Sequence, residues 1–454
     1  MKQTYLALAA TVMAGMGVCR AQSTQSGYFV DQYTYAYQMN PAFGNDRNFV
    51  SMPGLGNLNI AMRGNLQVRD VLYNIDGKTT TFLNPGVSAE EVLGNLSDHN
   101  KVGADIKVNI LSGGFKAWGG YNTVSLSARA DVGASIPKSI FSLLKEGVSN
   151  QTYDISDMRV NAYAYAELGL GHSRQITEQL RVGATLKFLI GGAAMDARLK
   201  DARLDLGTDE WTITSDAEMR ANMKGTTYKT KVNKNTGRRY VSGLDLGFDG
   251  LNGFGLGLDL GAVYRLNEDW SFSASVLDIG FISWSDTQLA TTDGPQTFTT
   301  DKYTFNPDDD ADNSFKNEWD RMRDDLSMLY QMDDMGNTGG RTHALAATLN
   351  FGAEYTFPLY RPLKFGLLNT TRIAGQFTWT DFRLSANVAP CKIFSAGVNM
   401  SAGTYGVGFG WLLNLHPKGF NLFLGMDRTL GKTAKQGLPL SSNASVNLGI
   451  NFPF

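Results

Sequence analysis

From Leu180 to Ile190 every second residue is apolar: Leu180, Val182, Ala184, Leu186, Phe188 and Ile190 alternate with Arg181, Gly183, Thr185 and Lys187. A period of two places these sets on opposite faces of a strand. The length of the pattern is the stronger constraint. Strands in soluble sandwiches usually run to about five or six residues, whereas crossing the hydrocarbon of a bilayer takes about 9 to 11. The pattern recurs in 255–266, where Leu256, Leu258, Leu260, Ala262, Tyr264 and Leu266 oppose Gly257, Asp259, Gly261 and Arg265. It recurs again with Asp105, Lys107 and Asn109 set between Ala104, Ile106, Val108 and Ile110, and with Ser125, Ser127, Arg129 and Asp131 between Val124, Leu126, Ala128 and Ala130. Long strands with charges confined to one face predict an all-β, antiparallel transmembrane barrel with a polar lumen.

Fourteen such segments are legible: 57–68, 104–117, 122–131, 160–171, 180–192, 255–266, 270–282, 343–356, 363–370, 380–389, 393–401, 405–415, 419–427 and 444–454. An even number of strands fits a bacterial barrel. With the first strand running away from the periplasm, the connections 118–121, 172–179, 267–269, 357–362, 390–392 and 416–418 fall on the periplasmic side, and all are short. The long ones, 69–103, 132–159, 193–254, 283–342 and 428–443, fall outside. That segregation is what the architecture requires.

Residues 1–21 have the layout of a cleavable signal peptide: a charge at Lys2, an apolar run from Leu6 to Val18, and the small residue Ala21 before Gln22. Val18 in front of Cys19 argues against a lipoprotein, because lipidation there would need a small residue. Cleavage would leave Cys391 alone, which excludes an intramolecular disulfide. No later run of about 18 apolar residues offers a transmembrane helix. The formal charge of −2 is spread without a single-sign patch, which sets nucleic acid aside. The 50 glycines and as many aromatic residues suit tightly packed strands and interfacial girdles. The reading is therefore a signal (1–21), an N-terminal plug or hatch segment (22–56) and the barrel (57–454).

The plug segment is aromatic, with Tyr28, Phe29, Tyr33, Tyr35, Tyr37 and Phe43. Such residues would be costly in water, so they are expected to pack inside the periplasmic mouth against lumen-facing Tyr163 and Tyr165. Asp31 and Arg47 are expected to meet the polar wall, and Asn40-Pro41-Ala42 to turn the chain. A segment of this kind with its Asn40-Pro41-Ala42 resembles the hatch of the long-chain fatty-acid transporter (FadL/PorV-like) superfamily. That resemblance implies fourteen strands and a plugged lumen. Stretches including Tyr37 to Phe43, Phe115 to Asn122, Leu384 to Pro390 and His416 to Asn421 resemble a Bacteroidetes-type family of outer-membrane barrels catalogued only as a domain of unknown function. The chain closes on Ser445 to Phe454, an alternating strand with Phe452 and terminal Phe454. It resembles the carboxy-terminal signal read by the barrel-insertion machinery.

Helices are expected in the outer loops: at Ser88 to Leu93, with a capping pattern; from Pro137 to Lys145, with proline near its start; and within Ser314 to Asp334. In the last of these Phe315, Trp319, Met322, Leu326, Leu329 and Tyr330 recur at helical spacing. Motifs for chemistry fail on inspection. Asp308, Asp310 and Asp312 have calcium-loop spacing, but the turn position is Asn313 and the twelfth position is Trp319. Gly431-Lys432-Thr433 lacks the earlier glycine of a phosphate loop, since Met426 stands there. The four histidines have no metal-ligand spacing. No catalytic, cofactor-binding or metal residues are therefore expected, and no enzyme. The superfamily resemblance implies a plugged outer-membrane channel for small apolar molecules. The alternative is a non-transporting barrel scaffold in an outer-membrane assembly, secretion or surface-lipoprotein complex. The expected partners are the lipid bilayer, the insertion machinery and, through the outer loops, outer-membrane proteins or lipoproteins.

Overall fold

In a computed structural model, the structure describes residues 24–454 except 46, 208–209, 235, 293, 304–311 and 429–442. The expected signal peptide lies outside the described residues. The alternating segments pair into one closed, antiparallel barrel of 14 strands. In order they are β1 (Phe49–Ser51 continued by Leu58–Gly64), β2 (His99–Ala117), β3 (Gly120–Pro137), β4 (Arg159–Gln175), β5 (Leu180–Leu206), β6 (Gly253–Arg265) and β7 (Trp270–Trp284). There follow β8 (Arg341–Ala344 continued by Ala347–Thr356), β9 (Leu363–Ile373), β10 (Trp379–Cys391), β11 (Phe394–Gly403), β12 (Gly406–Leu415), β13 (Asn421–Met426) and β14 (Ala444–Pro453). Each pairs with its neighbours in sequence. The barrel closes where Phe49 meets Pro453 and Leu58 meets Leu448.

Burial is inverted relative to a soluble domain. Asp105, Lys107, Asn109, Ser127, Arg129, Lys187 and Asp259 face inward and are buried. Their strand neighbours Ile110, Val124, Leu126, Leu186, Ile190 and Leu260 lie exposed on the outer face. Among the described residues no helix is long and apolar enough to cross a membrane.

The wall begins earlier than the 57–454 boundary implies. Phe49–Ser51 pairs with both β14 and β2, so part of the 22–56 segment is barrel. Its three residues are too few to show a period.

The short connections gather at one end of the barrel and the long ones at the other. At the long-loop end β5 continues into a hairpin with Trp211–Asn222. That strand also pairs with Gln288–Thr291 and Gln296–Thr299, and Gln288–Thr291 pairs with Asp333–Asn337. The two largest connections therefore share one sheet, which alternation had not revealed.

Among the described residues, three helices longer than the single turn Val68–Val71 sit in the long connections. Helix α1 (Ala89–Gly94) is capped by Ser88, whose Oγ accepts from Glu91 N, and α2 (Lys138–Glu146) follows Pro137. They bury Val92 and Phe141 together with Leu66, Phe82, Val87, Leu96 and Ile136. Helix α3 (Phe315–Met328) is shorter than its sequence stripe, because the chain must turn into the strand Asp333–Asn337. Tyr330, past its end, is exposed, as is Trp319 within it, while Glu318 and Ser327 are buried.

The candidate functional site in the barrel lumen

Residues from Thr24 to Asn45 lie inside the ring of strands, folded into two short 3-10 turns, Gln25–Gly27 and Thr34–Gln38. Their aromatic side chains, with Val30 and Met39, form the largest buried cluster among the described residues: Tyr28, Phe29, Tyr33, Tyr35 and Tyr37, packed with Phe49, Tyr121, Leu368, Leu412 and Phe423 of the wall. Tyr33 stands edge-on to Phe423 at 5.1 Å, and Tyr35 to Phe49 at 5.9 Å. Such edge-to-face pairs contribute beyond their burial, by about 0.5–1.5 kcal/mol each.

The wall is hollowed to receive this segment. Gly183 and Gly261 are cross-strand partners on β5 and β6. A Cβ on Gly183 would strike the Pro41 carbonyl and Ala42 N, and one on Gly261 would strike Asn40 Oδ1. Phe29 fills the space over Gly366 and Gly352, and Val30 that over Gly397. Lumen-facing glycines thus act as sockets, since any side chain there would occupy the space of the segment.

Polar contacts fix its height. Asn40 is fully buried and donates from Nδ2 to the carbonyls of Ala262 and Ala274, both at 3.2 Å. Its Oδ1 accepts from Ala42 N at 2.9 Å, and Phe43 N closes the turn on the Asn40 carbonyl at 2.9 Å. The Met39 carbonyl accepts from Ser275 Oγ at 2.7 Å and Asn350 Nδ2 at 3.0 Å. Lys364 Nζ reaches Asp31 at 2.7 Å, and Ser395 Oγ donates to the Asp31 carbonyl at 2.6 Å. Arg47 meets the wall through its carbonyl, which accepts from the Tyr121 hydroxyl at 2.9 Å. Burial pushes the Tyr37 phenol up to about 12, so it stays neutral.

Tyr163 and Tyr165 do not join this cluster. They pack nearer the long-loop end with Leu189, Ile282, Trp284 and Leu345, and Tyr163 stacks on His343 at 4.4 Å. The expectation failed on depth. Both tyrosines lie in the first half of β4, several residues' rise from the short-turn end where the segment sits.

Between the two regions lies a layer of buried charge. Arg129 Nη1 reaches Glu167 at 2.8 Å and Asp278 Oδ1 at 3.0 Å, with Nη2 on Asp278 Oδ2 at 3.2 Å. Lys187 Nζ lies 2.6 Å from Asp278 and 2.7 Å from Asp259, and Lys107 lies 3.6 Å from Glu167. Three cations and three carboxylates therefore cancel. Asp278 enters through a bulge in β7 opposite Asp259, with φ at +60° in the left-handed region. Its N–H donates to Asp259 Oδ1 at 2.7 Å. The parity of Lys107, Arg129, Lys187 and Asp259 was legible as lumenal, whereas Asp278 was hidden by the bulge, which breaks the period.

Two cavities flank this filling. One of about 320 Å³ opens toward the short-turn end, lined by Tyr28, Asp31, Phe43, Arg181, Arg265 and Lys364 among others. The other, of about 360 Å³, lies toward the long-loop end among Tyr163, Tyr165, Trp284, His343, Arg372 and Phe377. Beside it the wall is incomplete: β9 stops at Ile373, opposite Ala347, and the Arg341–Ala344 stretch of β8 pairs only with β7. A void of about 20 Å³, bounded by Gln25, Gln38, Met39, Lys107, Arg129, Lys187 and Asp278, joins the charged layer to the N-terminal segment.

Of the other singled-out residues, Phe452 and Phe454 face outward at the short-turn end, where Phe452 meets Phe420 at 6.3 Å. Asp308, Asp310 and Gly431-Lys432-Thr433 lie outside the described residues. Among the described residues no group of histidine, cysteine, aspartate or glutamate has the arrangement of a metal site.

A model described as a family of unknown function, DUF5723, matches residues 41–427. No curated protein matches the chain. Among solved structures, the Pseudomonas putida toluene transporter TodX is similar at 11% identity and a TM-score of 0.39, over 91% of this chain and 92% of that one. A Pseudomonas aeruginosa FadL homologue is similar at 9% identity and 0.35, over 96% of each. The translocator domain of the autotransporter NalP from Neisseria meningitidis gives 9% and 0.30, over 91% of this chain and 90% of that one. At these scores the likeness carries no argument about what this barrel does.

Proposed function

We propose, for a chain that belongs to the DUF5723 family of unknown function, an outer-membrane barrel whose N-terminal segment plugs a route for small molecules. Membrane residence is supported by the outward apolar face and by rings gathered at the short-turn end. There Trp270 meets Tyr355 at 4.8 Å, Phe357 meets Phe365 at 6.5 Å and Phe115 meets Trp118 at 6.0 Å, as an interfacial girdle would. Short turns then face the periplasm and the long connections the exterior.

The observation that carries the plug is the match between lumenal glycine sockets and the segment's Phe29, Val30 and Asn40-Pro41. A barrel of about fourteen strands has a lumen too wide to close on its own, and here it is filled by a separable piece of chain with a cavity on each side. Deleting 24–44 spares β1 and should raise single-channel conductance in planar bilayers well above that of the intact protein. If both are equally silent, the plug reading is wrong.

The scaffold reading keeps one specific observation. Leu246, Phe248 and Leu251, and also Trp319 and Tyr330, are exposed on the long-loop side. Stoichiometric protein partners recovered from native outer membranes would favour it.

A further inference from the structure

We propose that Asn369, on the outward face of β9, is the hydrogen-bonding centre of a contact between two copies of this chain within the membrane. The proposal rests on the outer-membrane reading and adds what covers one side of the barrel.

Along β9 the lumenal Gly366, Leu368, Thr370 and Arg372 are buried, so Phe365, Leu367, Asn369, Thr371 and Ile373 point outward. Across the ladder, at the level of Asn369, stand Ala262, Ala274, Phe351, Phe382 and Ala402. Asn369 is therefore the polar member of an apolar row. Its outward neighbour Thr371 is satisfied by Thr380, hydroxyl to hydroxyl at 2.9 Å. The Asn369 side chain makes no hydrogen bond among the described residues.

Depth makes this costly. Asn369 is the seventh of the eleven residues of β9, and Phe365, four residues nearer the short-turn end, stands in the aromatic girdle with Phe357. Four residues rise about 13 Å along a strand, or about 10 Å along the axis of a barrel tilted by about 40°, against an apolar band about 25 Å tall. The amide thus lies within the hydrocarbon, away from both headgroup layers. An acyl chain offers neither donor nor acceptor there, and an unpaired amide is unfavourable.

What can satisfy it is a side chain on another wall in the same membrane. A second copy carries such a group at the right level. An amide both donates and accepts, so two Asn369 side chains meeting across a twofold axis along the membrane normal complete each other. Closed pairs of this kind are the commonest assemblies of identical chains, and in them a surface patch meets itself. The surroundings fit that symmetry. An axis at Asn369 brings Phe351 of one copy against Phe382 of the other on both sides, and these rings are 55% and 57% exposed. A groove of about 500 Å³ crosses this face from Ala262 to Phe382 and includes Asn369, with the small Ala274 and Ala353 in its lining. Apolar side chains of the second copy can enter it beside the amide.

The test uses the full chain carrying Cys391→Ser, which removes its free thiol, in native outer membranes. Oxidation after Asn369→Cys is introduced should give a covalent product of twice the monomer mass, whereas Leu126→Cys, outward on β3 on the far side of the ring, should give none. In lipid vesicles, the dissociation constant read by energy transfer between labelled copies should rise about tenfold in Asn369→Leu, as the loss of two hydrogen bonds within a membrane implies, and should be preserved in Asn369→Gln. Leucine suits the outward face, so folded migration in detergent gels should be unchanged. A monomer at every protein density overturns the proposal, as does equal association of Asn369→Leu; a cross-linked product of another mass identifies a different protein on this face and overturns the second copy. Outer-membrane fractionation and the conductance gained on deleting 24–44 are read on each barrel singly, so they stand or fall apart from this result.

Discussion

Replacing Asn40 with alanine should loosen the N-terminal segment without weakening the barrel around it. The side chain is wholly buried and makes three hydrogen bonds: two donated to Ala262 and Ala274, which face each other across β6 and β7, and one accepted from Ala42 N. At a net of about 1 kcal/mol each, their loss shifts the balance between seated and unseated segment by about 3 kcal/mol, or roughly 100-fold. The wall keeps its ladder, so folded migration in detergent gels should be unchanged. The unseated population can be read twice, as open probability in planar bilayers and as the rate of limited proteolysis within 24–44, which tracks a rare open state when reseating is fast. Both should rise by about the same factor. Gly261→Val attacks the same contact from the wall, since its Cβ would meet Asn40 Oδ1 and lie 2.9 Å from Pro41 Cδ. If Asn40→Ala leaves both readings at the level of the intact protein while deletion of 24–44 opens the pore, the turn is not what seats the segment.

Two further outcomes follow from the wall. Asp278→Asn should lower the temperature at which the folded form is lost in gels, by the equivalent of about 3–5 kcal/mol for breaking a buried ion network; asparagine tolerates the φ of +60°, so the backbone is spared. An unchanged midpoint would show that the layer contributes little to stability. Deleting Ile450 to Phe454 removes the pairings of Phe452 with Val50 and of Ile450 with Leu422, so the exported chain should be lost in the periplasm; normal assembly would refute the role given to Phe452 and Phe454.

The barrel was legible because a wall with an apolar outer face and a polar lumen writes its two faces into alternate residues, as Leu186 and Lys187 or Leu260 and Asp259 do. The fourteen segments needed little beyond that pattern and the lengths of the gaps. What was not legible depends on where strands stand relative to one another. Tyr163 and Tyr165 have the right parity to face the lumen, but their height follows from strand stagger, which no local pattern records. Asp278 reaches the charged layer only because an extra residue in β7 reverses the local parity. Asn40-Pro41-Ala42 was visible as a turn, whereas its socket required Gly183 and Gly261, far apart in the chain, to be neighbours on the wall.

The N-terminal segment and the charged layer are held in the lumen by different physics. The N-terminal segment is held mainly by shape and by neutral hydrogen bonds, with Asp31 to Lys364 as an ion pair near the mouth. Its seating should therefore depend weakly on salt, because screening acts on charges and not on rings set over glycines. Beyond it, Lys107, Arg129 and Lys187 against Glu167, Asp259 and Asp278 leave no net fixed charge. Such a layer does not attract an ion of either sign, and an ion passing through would have to break pairs that are already made. An uncharged solute in the upper cavity faces no such demand. On the proposed route such a solute would displace Gln25, Gln38 and Met39, which border the charged layer from the other side and belong to a segment that no strand pairing among the described residues anchors in the wall.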